Sequence, residues 1–238
     1  QIRTLKRKAP KETGFHRWYW SLNEKGVERP SRSESKRKRE PSGVTVKPGS
    51  YKVVLESKDN SSETEVTVIT DPRLEISQKA IDDSYNYSKK IEGYTEQTTA
   101  AVNQLKASKK TLSSYKSRIE KKDKEAHKEL LETIAEHTKQ IDSILDIFIG
   151  REDKRQGIVR NPENSVLKRI YSASRYVRSR PTGITTTEEK LLEHLKNDLQ
   201  TALQQTNAFY DEHWEAVKAK IEAVELSDFK AIERFEID

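Results

Sequence analysis

The 238-residue sequence contains no cysteine and no methionine, and it has only eight glycines. Without cysteine, the chain can form no disulfide bond and no zinc site built on thiolates. The scarcity of glycine leaves few of the tight turns whose backbone amides cradle phosphate groups. Because the chain lacks methionine and begins at Gln1, we expect it to be a processed or cloned piece of a longer protein.

Long apolar segments are missing as well. No run approaches the ~20 residues that a membrane-spanning helix needs, and no signal-peptide pattern opens the sequence. Hydrophobic residues make up 32% of the chain and charged residues 35%. This balance is typical of long, exposed helices that bury only a narrow apolar stripe.

Positive charge is concentrated at the start of the chain. Residues 1–50 hold 14 Lys and Arg against 5 Asp and Glu, whereas residues 51–238 hold 31 against 34. The basic run Lys36–Arg39 lies in segment 29–43, which has no aliphatic residue and which we expect to be an exposed loop. No zinc-finger, RNA-recognition or helix-turn-helix pattern surrounds this run, so the sequence does not favour nucleic acid as a partner.

The first 74 residues carry β-strand patterns. Four stretches alternate or are rich in β-branched and aromatic residues, at 1–5, 16–22, 50–57 and 63–70. Turn-forming residues separate the later stretches: Pro48-Gly49 is expected to start one strand, and Asp59-Asn60 to close a hairpin between it and the next. Four short strands are few for a free-standing sandwich. We therefore expect either further strands before Gln1 or a sheet that leans on the helices.

From Asp71-Pro72 onward the hydrophobic period lengthens from two to about 3.5 residues, which indicates helices. A first stripe recurs every seven residues at Ile91, Thr98, Leu105, Leu112 and Ile119. A second stripe, stronger than the first, ends at Gly150, a residue suited to stop a helix.

Two further helix starts are marked by capping residues. Asn161-Pro162 combines a capping side chain with proline at the first helical position. Capping-box spacing occurs either from Thr185 to Glu188 or from Thr186 to Glu189. The patterns together predict an elongated antiparallel helical bundle over residues 75–238. Its helices are expected at about 77–120, 124–149, 163–179 and 185–224.

Recognised catalytic patterns are missing from the sequence. It contains no HExxH zinc motif, GxSxG elbow, P-loop or GxGxxG fingerprint. The histidines are scattered, and His213 beside Trp214 is expected to be a core or flanking residue. The sequence thus predicts no catalytic residue, no cofactor and no metal site, and we do not expect this chain to be an enzyme by itself.

The aromatic stretch 14–20 is the first candidate contact site. On a strand, Trp18, Trp20 and Leu22 would share one face, and Phe15 and Tyr19 the other. We expect the first face to point into a β core and the second to be covered by the helices or by another domain.

Three further residues are candidate contacts for a ligand or a domain, together with Trp18 and Tyr19. Trp214 lies near the end of the last helical stripe. Arg151 and Arg155 alternate with acidic residues in 151–158, which indicates either an interhelix loop held by ion pairs or a polar contact to another domain.

The order of these motifs resembles the C-terminal region of bacterial sortilin-like proteins with BNR-repeat β-propellers. In that family a fibronectin- or Ig-like β domain and a helical tail follow the propeller. The resemblance covers essentially the whole chain. It rests on Gly14, Arg17, Trp20 and Leu22, on Pro48, Gly49, Tyr51, Val53 and Leu55, and on Asp71, Pro72 and Arg73.

The resemblance implies an α+β fold in two parts. Residues 1–74 would form a small Ig- or fibronectin-like antiparallel β-sandwich, complete or incomplete, and residues 75–238 the helical bundle. No propeller is present in this chain, so any site that a propeller holds is not carried over to it.

The resemblance also implies a function. The chain would be a non-catalytic accessory module, secreted or periplasmic, that spaces or docks the propeller of the same protein. Two alternatives stay open: a module that binds a carbohydrate or peptide, and part of a glycoside-hydrolase-like enzyme whose active site lies in the propeller. The sequence does not indicate an oligomeric state.

Overall fold

A computed structural model of the chain describes residues 2–5, 12–33, 40–57, 60–152, 164–180, 182–224 and 226. Its strands are β1 (Asn23–Lys25), β2 (Ser42–Thr45), β3 (Gly49–Ser57) and β4 (Asn60–Val68). Its helices are α1 (Gln78–Asp123), α2 (Lys128–Ile149), α3 (Val166–Ser179), α4 (Thr186–Phe209) and α5 (Glu215–Glu222), with a π-helical turn, Tyr210–Trp214, between α4 and α5.

Helix α1 is the backbone of the bundle. It has 46 residues, which corresponds to about 70 Å. Ser77 caps its first turn by accepting a hydrogen bond from the Ala80 amide, at 3.2 Å. All five residues of the predicted seven-residue stripe, from Ile91 to Ile119, are buried. The sequence therefore predicted correctly which face of α1 the bundle covers.

The other helices pack along α1, with α2 and α3 antiparallel to it and α4 parallel to it. Helix α2 returns antiparallel to α1, with the Lys109 ammonium 2.5 Å from Asp142. Helix α3 continues in the same direction, and its Arg169 binds Asp198 of α4 at 2.8 Å.

Helix α4 then runs parallel to α1. The Tyr87 hydroxyl near the start of α1 donates to the Glu188 carbonyl near the start of α4. Farther along, the hydroxyls of Ser108 and Tyr210 lie 2.9 Å apart. The prediction of an elongated bundle with antiparallel helices is compatible with this arrangement.

Several helix boundaries differ from the predicted ones by a few residues, and α1 extends to Asp123 while α2 begins at Lys128. Helix α3 begins at Val166 with Ser165 as its cap, whereas the predicted cap Asn161-Pro162 lies outside the described residues. The single helix predicted for 185–224 is interrupted by the π-helical turn. Of the two capping boxes that the sequence allowed, the one between Thr185 and Glu188 is confirmed, because these residues make both of its hydrogen bonds.

The predicted Ig- or fibronectin-like β-sandwich is wrong. The described strands form two separate antiparallel sheets of two strands each, β1 with β2 and β3 with β4. The predicted strands at 1–5 and 16–22 do not form in the described residues, which have irregular structure there. Alternating side chains form a strand only where a neighbouring strand supplies a regular ladder of backbone partners. The described residues make only isolated backbone bonds there, from Lys25 to Ile2 and from Val46 to Leu22.

The β1–β2 sheet is held against the first turns of α1. The two strands approach so closely at Gly26 and Gly43 that a Cβ on either glycine would lie within about 2.6 Å of the opposite backbone. Val46 is buried beneath the sheet, and its amide donates to the Leu22 carbonyl at 2.9 Å. This small sheet therefore links the N-terminal segment to the bundle.

Segment 29–43 was predicted to be an exposed loop, but some of its described residues are buried or belong to a strand. Pro30 is buried, and the Arg32 guanidinium contacts the Asp146 carboxylate and the Gly150 carbonyl at the end of α2. Ser42 and Gly43 belong to β2. The basic run Lys36–Arg39 lies outside the described residues.

Candidate interaction surface

The β3–β4 hairpin has one apolar face and one charged face. Its strands pair in register from Gly49 opposite Val68 to Ser57 opposite Asn60. Because side chains alternate along each strand, one face carries Tyr51, Val53, Leu55, Thr64 and Val66, and the other carries Ser50, Lys52, Val54, Glu56, Glu63 and Glu65.

Most of the apolar face is exposed to solvent. Tyr51, near the base of the hairpin, is half-buried, whereas Val53, Leu55 and Val66 are exposed, and Leu55 keeps 48% of its surface. An amphipathic sheet face normally packs on a core or on a partner. The chain thus presents a face of the kind that partners cover.

Trp20 joins the hairpin to the aromatic stretch. Its ring packs edge-on against Tyr51, with the ring centroids 5.6 Å apart. Its indole Nε1–H donates to the Asn23 carbonyl at 3.0 Å, and the Tyr51 hydroxyl donates to the Lys47 carbonyl at 2.5 Å. The ring contact joins the base of the hairpin to the C-terminal end of the aromatic stretch, and each hydrogen bond holds one of the two rings on its own segment.

The residues before Trp20 are left uncovered by the described part of the chain. Phe15 is 88% exposed, Tyr19 73% and Trp18 49%. The expectation that Trp18 and Leu22 point into a β core is therefore wrong, because Leu22 is exposed too. Leu22 has a positive φ of 51°, which turns the chain into β1 and ends the extended stretch.

We call the exposed side chains of Phe15, Trp18 and Tyr19, together with Val53, Leu55 and Val66, the apolar surface. Exposed apolar residues are ordinary when scattered singly, but a concentration of large ones marks an interaction site. The alternation of 50–57 predicted the strand but not its exposure, so the sequence did not single out Val53, Leu55 or Val66.

Polar contacts anchor β1, which follows the aromatic stretch, to α1. Glu24 of β1 accepts a hydrogen bond from the Tyr85 hydroxyl at 2.5 Å and lies 3.1 Å from the Lys89 ammonium. Partial burial would raise the pKa of Glu24, but Tyr85 and Lys89 outweigh it and hold that pKa below its ordinary value. Partial burial would also lower the pKa of Lys89, yet Glu92 and Glu24 raise it to about 12.

The other predicted contact residues lie elsewhere. Trp214 packs against the bundle core, 5.7 Å from the Tyr210 ring and 6.4 Å from Phe209, measured between ring centroids. Arg151 is exposed just after α2. Arg155 lies outside the described residues. The structure therefore joins only Trp18 and Tyr19 to the apolar surface.

Two histidine rings stack on each other at the π-helical turn. His137 of α2 is buried, and its ring stacks on that of His213 with 5.3 Å between centroids. Phe209 closes the cluster edge-on at 6.0 Å from His137. Across the described part of the chain, no group of three or more His, Asp or Glu side chains could hold a metal ion.

A groove of about 880 Å³ runs between the first halves of α1 and α4. Its rim carries both signs of charge, with Lys79, Lys90 and Lys196 near Asp83, Glu189 and Glu193. Such a mixed rim does not select one class of ligand. None of the helices in the described ranges has an apolar stretch long enough to cross a membrane.

No protein-family model, no curated protein and no solved structure matches this chain in the comparisons.

Proposed function

We propose that this chain is a non-catalytic interaction module, in which the helical bundle carries the apolar surface and docks it on another domain. The exposure of Phe15, Tyr19 and Leu55 is the observation that supports this proposal. Burying large aromatic and aliphatic side chains of this kind supplies most of the free energy of protein association.

The sequence resemblance suggests which domain would be the partner. We propose that it is a propeller of the same protein and that the protein is secreted or periplasmic. The bundle would then serve as a spacer and the apolar surface as the docking element. Trp20 and Tyr51, which match the family signature, support this reading because they join the two halves of the apolar surface.

A titration tests the docking role. The coding sequence upstream of Gln1 is determined, the propeller that it encodes is purified, and its binding to the chain is measured by calorimetry. Replacing Phe15 and Tyr19 by serine should weaken binding at least about tenfold, because two large buried side chains are lost.

Tyr176→Ser is the matched control, since Tyr176 is an exposed aromatic on α3, at 44%, and lies outside the apolar surface. It should leave the affinity unchanged. Upstream DNA that encodes no propeller, or a Phe15 and Tyr19 variant that binds as tightly as the control, would refute the proposal.

A second candidate is a module that binds a carbohydrate or peptide. Rings that stack on a sugar must be accessible, and Trp18 and Tyr19 meet that requirement. The two functions separate in the same titration: a glycan-binding module binds oligosaccharides in the absence of the propeller, and only through these rings.

A further inference from the structure

The outer edge of β3 is open. In the described residues β3 pairs only with β4, so its other edge presents alternate N–H and C=O groups to solvent. A two-stranded hairpin with little cover on either face is marginally stable alone, and three or more strands with an apolar face are much more stable. The hairpin would thus gain from a further strand at this edge.

The sequence of β3 is complementary to itself in one antiparallel register. When two copies pair about a two-fold axis through Val54, Lys52 of one copy lies opposite Glu56 of the other, twice by symmetry. The same register places Val53 opposite Leu55, also twice. Opposite charges and apolar pairs in directly facing positions both stabilise a sheet.

Neighbouring registers lose this match. Moving the axis to Val53 places Lys52 opposite Val54, and moving it to Leu55 places Glu56 opposite Val54. An axis perpendicular to the sheet also keeps the two apolar faces on the same side. The pairing through Val54 is therefore the register that satisfies both faces.

The outer edge of β4 is unsuitable for the same pairing. Glu63 and Glu65 lie on one face of β4. A two-fold axis through Thr64 would place Glu63 of each copy opposite Glu65 of the other. Like charges in facing positions destabilise a sheet. The register centred on Val54 thus pairs opposite charges at the β3 edge, whereas the register centred on Thr64 pairs like charges at the β4 edge, which favours β3.

The contacts of Lys52 and Glu56 within the hairpin are consistent with pairing through β3. Lys52 binds Glu63 at 2.7 Å across the strands but stays largely exposed. Glu56 lies opposite Ser61 and makes no ion pair with any described residue. A carboxylate at the edge is therefore available to a lysine of a second copy.

We propose that two copies of this chain associate through β3, forming a continuous four-stranded antiparallel sheet in the order β4–β3–β3–β4. Val53 and Leu55 of both copies would lie side by side at its centre. The bundles would attach at opposite ends of the sheet, where the two Gly49 residues stand about 34 Å apart at ~3.4 Å per residue. This inference does not depend on the proposed function.

Sedimentation equilibrium on the full 238-residue chain tests it. The wild-type chain should be a reversible dimer. Glu56→Lys should raise the dimer Kd at least about tenfold, since it places like charges opposite each other at two positions. The double variant Lys52→Glu with Glu56→Lys inverts both pairs and should restore dimerisation.

The double variant also removes the Lys52–Glu63 ion pair within the hairpin. Its recovery therefore distinguishes pairing between copies from a change in hairpin stability. Lys110→Glu, on an exposed position of α1, is the control and should leave the Kd unchanged. A wild-type chain that stays monomeric up to about 1 mM, or a Glu56→Lys variant that dimerises as tightly as the wild type, would overturn the proposal.

Cross-linking provides an independent measurement because the natural chain has no cysteine. In the proposed register, position 54 of one copy lies directly opposite position 54 of the other. Their Cα atoms are about 4.5–5.5 Å apart, a distance that a disulfide can span. Val54→Cys should form a covalent dimer on mild oxidation, and Thr64→Cys, in β4, should not. Equal cross-linking of both variants, or none at position 54, contradicts the proposed edge.

Discussion

Glu188 shows how a single charged side chain can be stable inside the bundle. Its side chain is fully buried, yet its carboxylate accepts hydrogen bonds from the Thr185 amide at 2.9 Å and the Thr185 hydroxyl at 2.5 Å. The Arg180 guanidinium lies 3.3 Å away. Burial raises the pKa of Glu188, but Thr185 and Arg180 outweigh it, so the pKa lies below its ordinary value of 4.5.

Glu188→Gln should therefore lower stability in a pH-dependent way. A carboxylate whose pKa is depressed by folding stabilises the protein above pH 4.5, and this contribution disappears as pH falls through the depressed value. At pH 7 we expect the variant to be about 1–2 kcal/mol less stable, because charge-assisted hydrogen bonds at the helix start are weakened.

Urea unfolding at pH 7 and at pH 3 measures the effect. The difference between wild type and variant should shrink at the lower pH, because the Glu188 carboxyl of the unfolded chain is protonated below its ordinary pKa of 4.5. Glu189→Gln, an exposed neighbour in the same helical turn, should change stability by less than about 0.5 kcal/mol at either pH. A loss that is equally large at both pH values would show that the charge of Glu188 is not responsible.

Individual residues were predictable where local chemistry decides their role. The Thr185–Glu188 capping box depends on residues three apart, so its spacing alone predicted it. The positions of Trp18 and Leu22 depend on whether another strand lies beside them. No local pattern contains that information, and both side chains were wrongly predicted to enter a β core.

At the scale of elements, leucines on α1 and on β3 should respond very differently to the same substitution. Leu105 is fully buried on the seven-residue stripe of α1, whereas Leu55 is exposed on the apolar face of the hairpin. We expect Leu105→Ala to reduce the free energy of unfolding by about 2–5 kcal/mol, since it leaves a cavity in the core. Leu55→Ala should cost less than about 1 kcal/mol at protein concentrations where the chain is monomeric.

Chemical denaturation at low protein concentration, followed by helical circular dichroism, compares the two variants. Leu112→Ala, one heptad along and also buried, should resemble Leu105→Ala. If Leu55→Ala were as damaging as the core variants, the hairpin would be packed on a surface of its own chain, and the description of Leu55 as exposed would be incorrect.

The spacing of apolar residues from Phe209 onward indicates the π-helical turn, which was not predicted from the sequence. Phe209, His213, Val217 and Ile221 follow one another at four-residue steps. In a regular α-helix each such step overshoots a full turn by about 40°, so the stripe drifts off the core. The π-helical turn at Tyr210–Trp214 holds more residues per turn and keeps Phe209, Val217 and Ile221 buried.

At the scale of the whole molecule, helices and β structure differ in how far sequence specifies them. A helix makes its hydrogen bonds locally, and the periodicity of 75–224 predicted the described helices well. Strands β1 and β2 are three and four residues long and pair across a gap of sixteen residues, so neither has a periodic pattern to detect. The pairing of β3 with β4 was predictable because only two residues separate the strands in the sequence.

The N-terminal region is attached to the bundle largely through polar contacts. Glu24 binds Lys89 at 3.1 Å, and Lys47 binds Asp82 at 3.0 Å. The Glu28 carbonyl accepts from the Thr99 hydroxyl at 2.7 Å. Because the side chains of Lys89, Lys47 and Asp82 are all partly exposed, salt should screen these ion pairs.

Raising the ionic strength should therefore loosen the β1–β2 sheet while leaving the bundle intact. The Debye length falls from about 10 Å at 0.1 M to about 3 Å at 1 M salt. We expect amide hydrogen exchange of β1 and β2 to accelerate several-fold between these conditions, and the amides from Ile91 to Ile119 to keep their protection, because apolar packing holds that part of α1. Lys89→Gln should reproduce the acceleration at low salt. If β1 and β2 stayed equally protected at both salt concentrations, buried apolar contacts such as Val46 would be what fastens the sheet to α1.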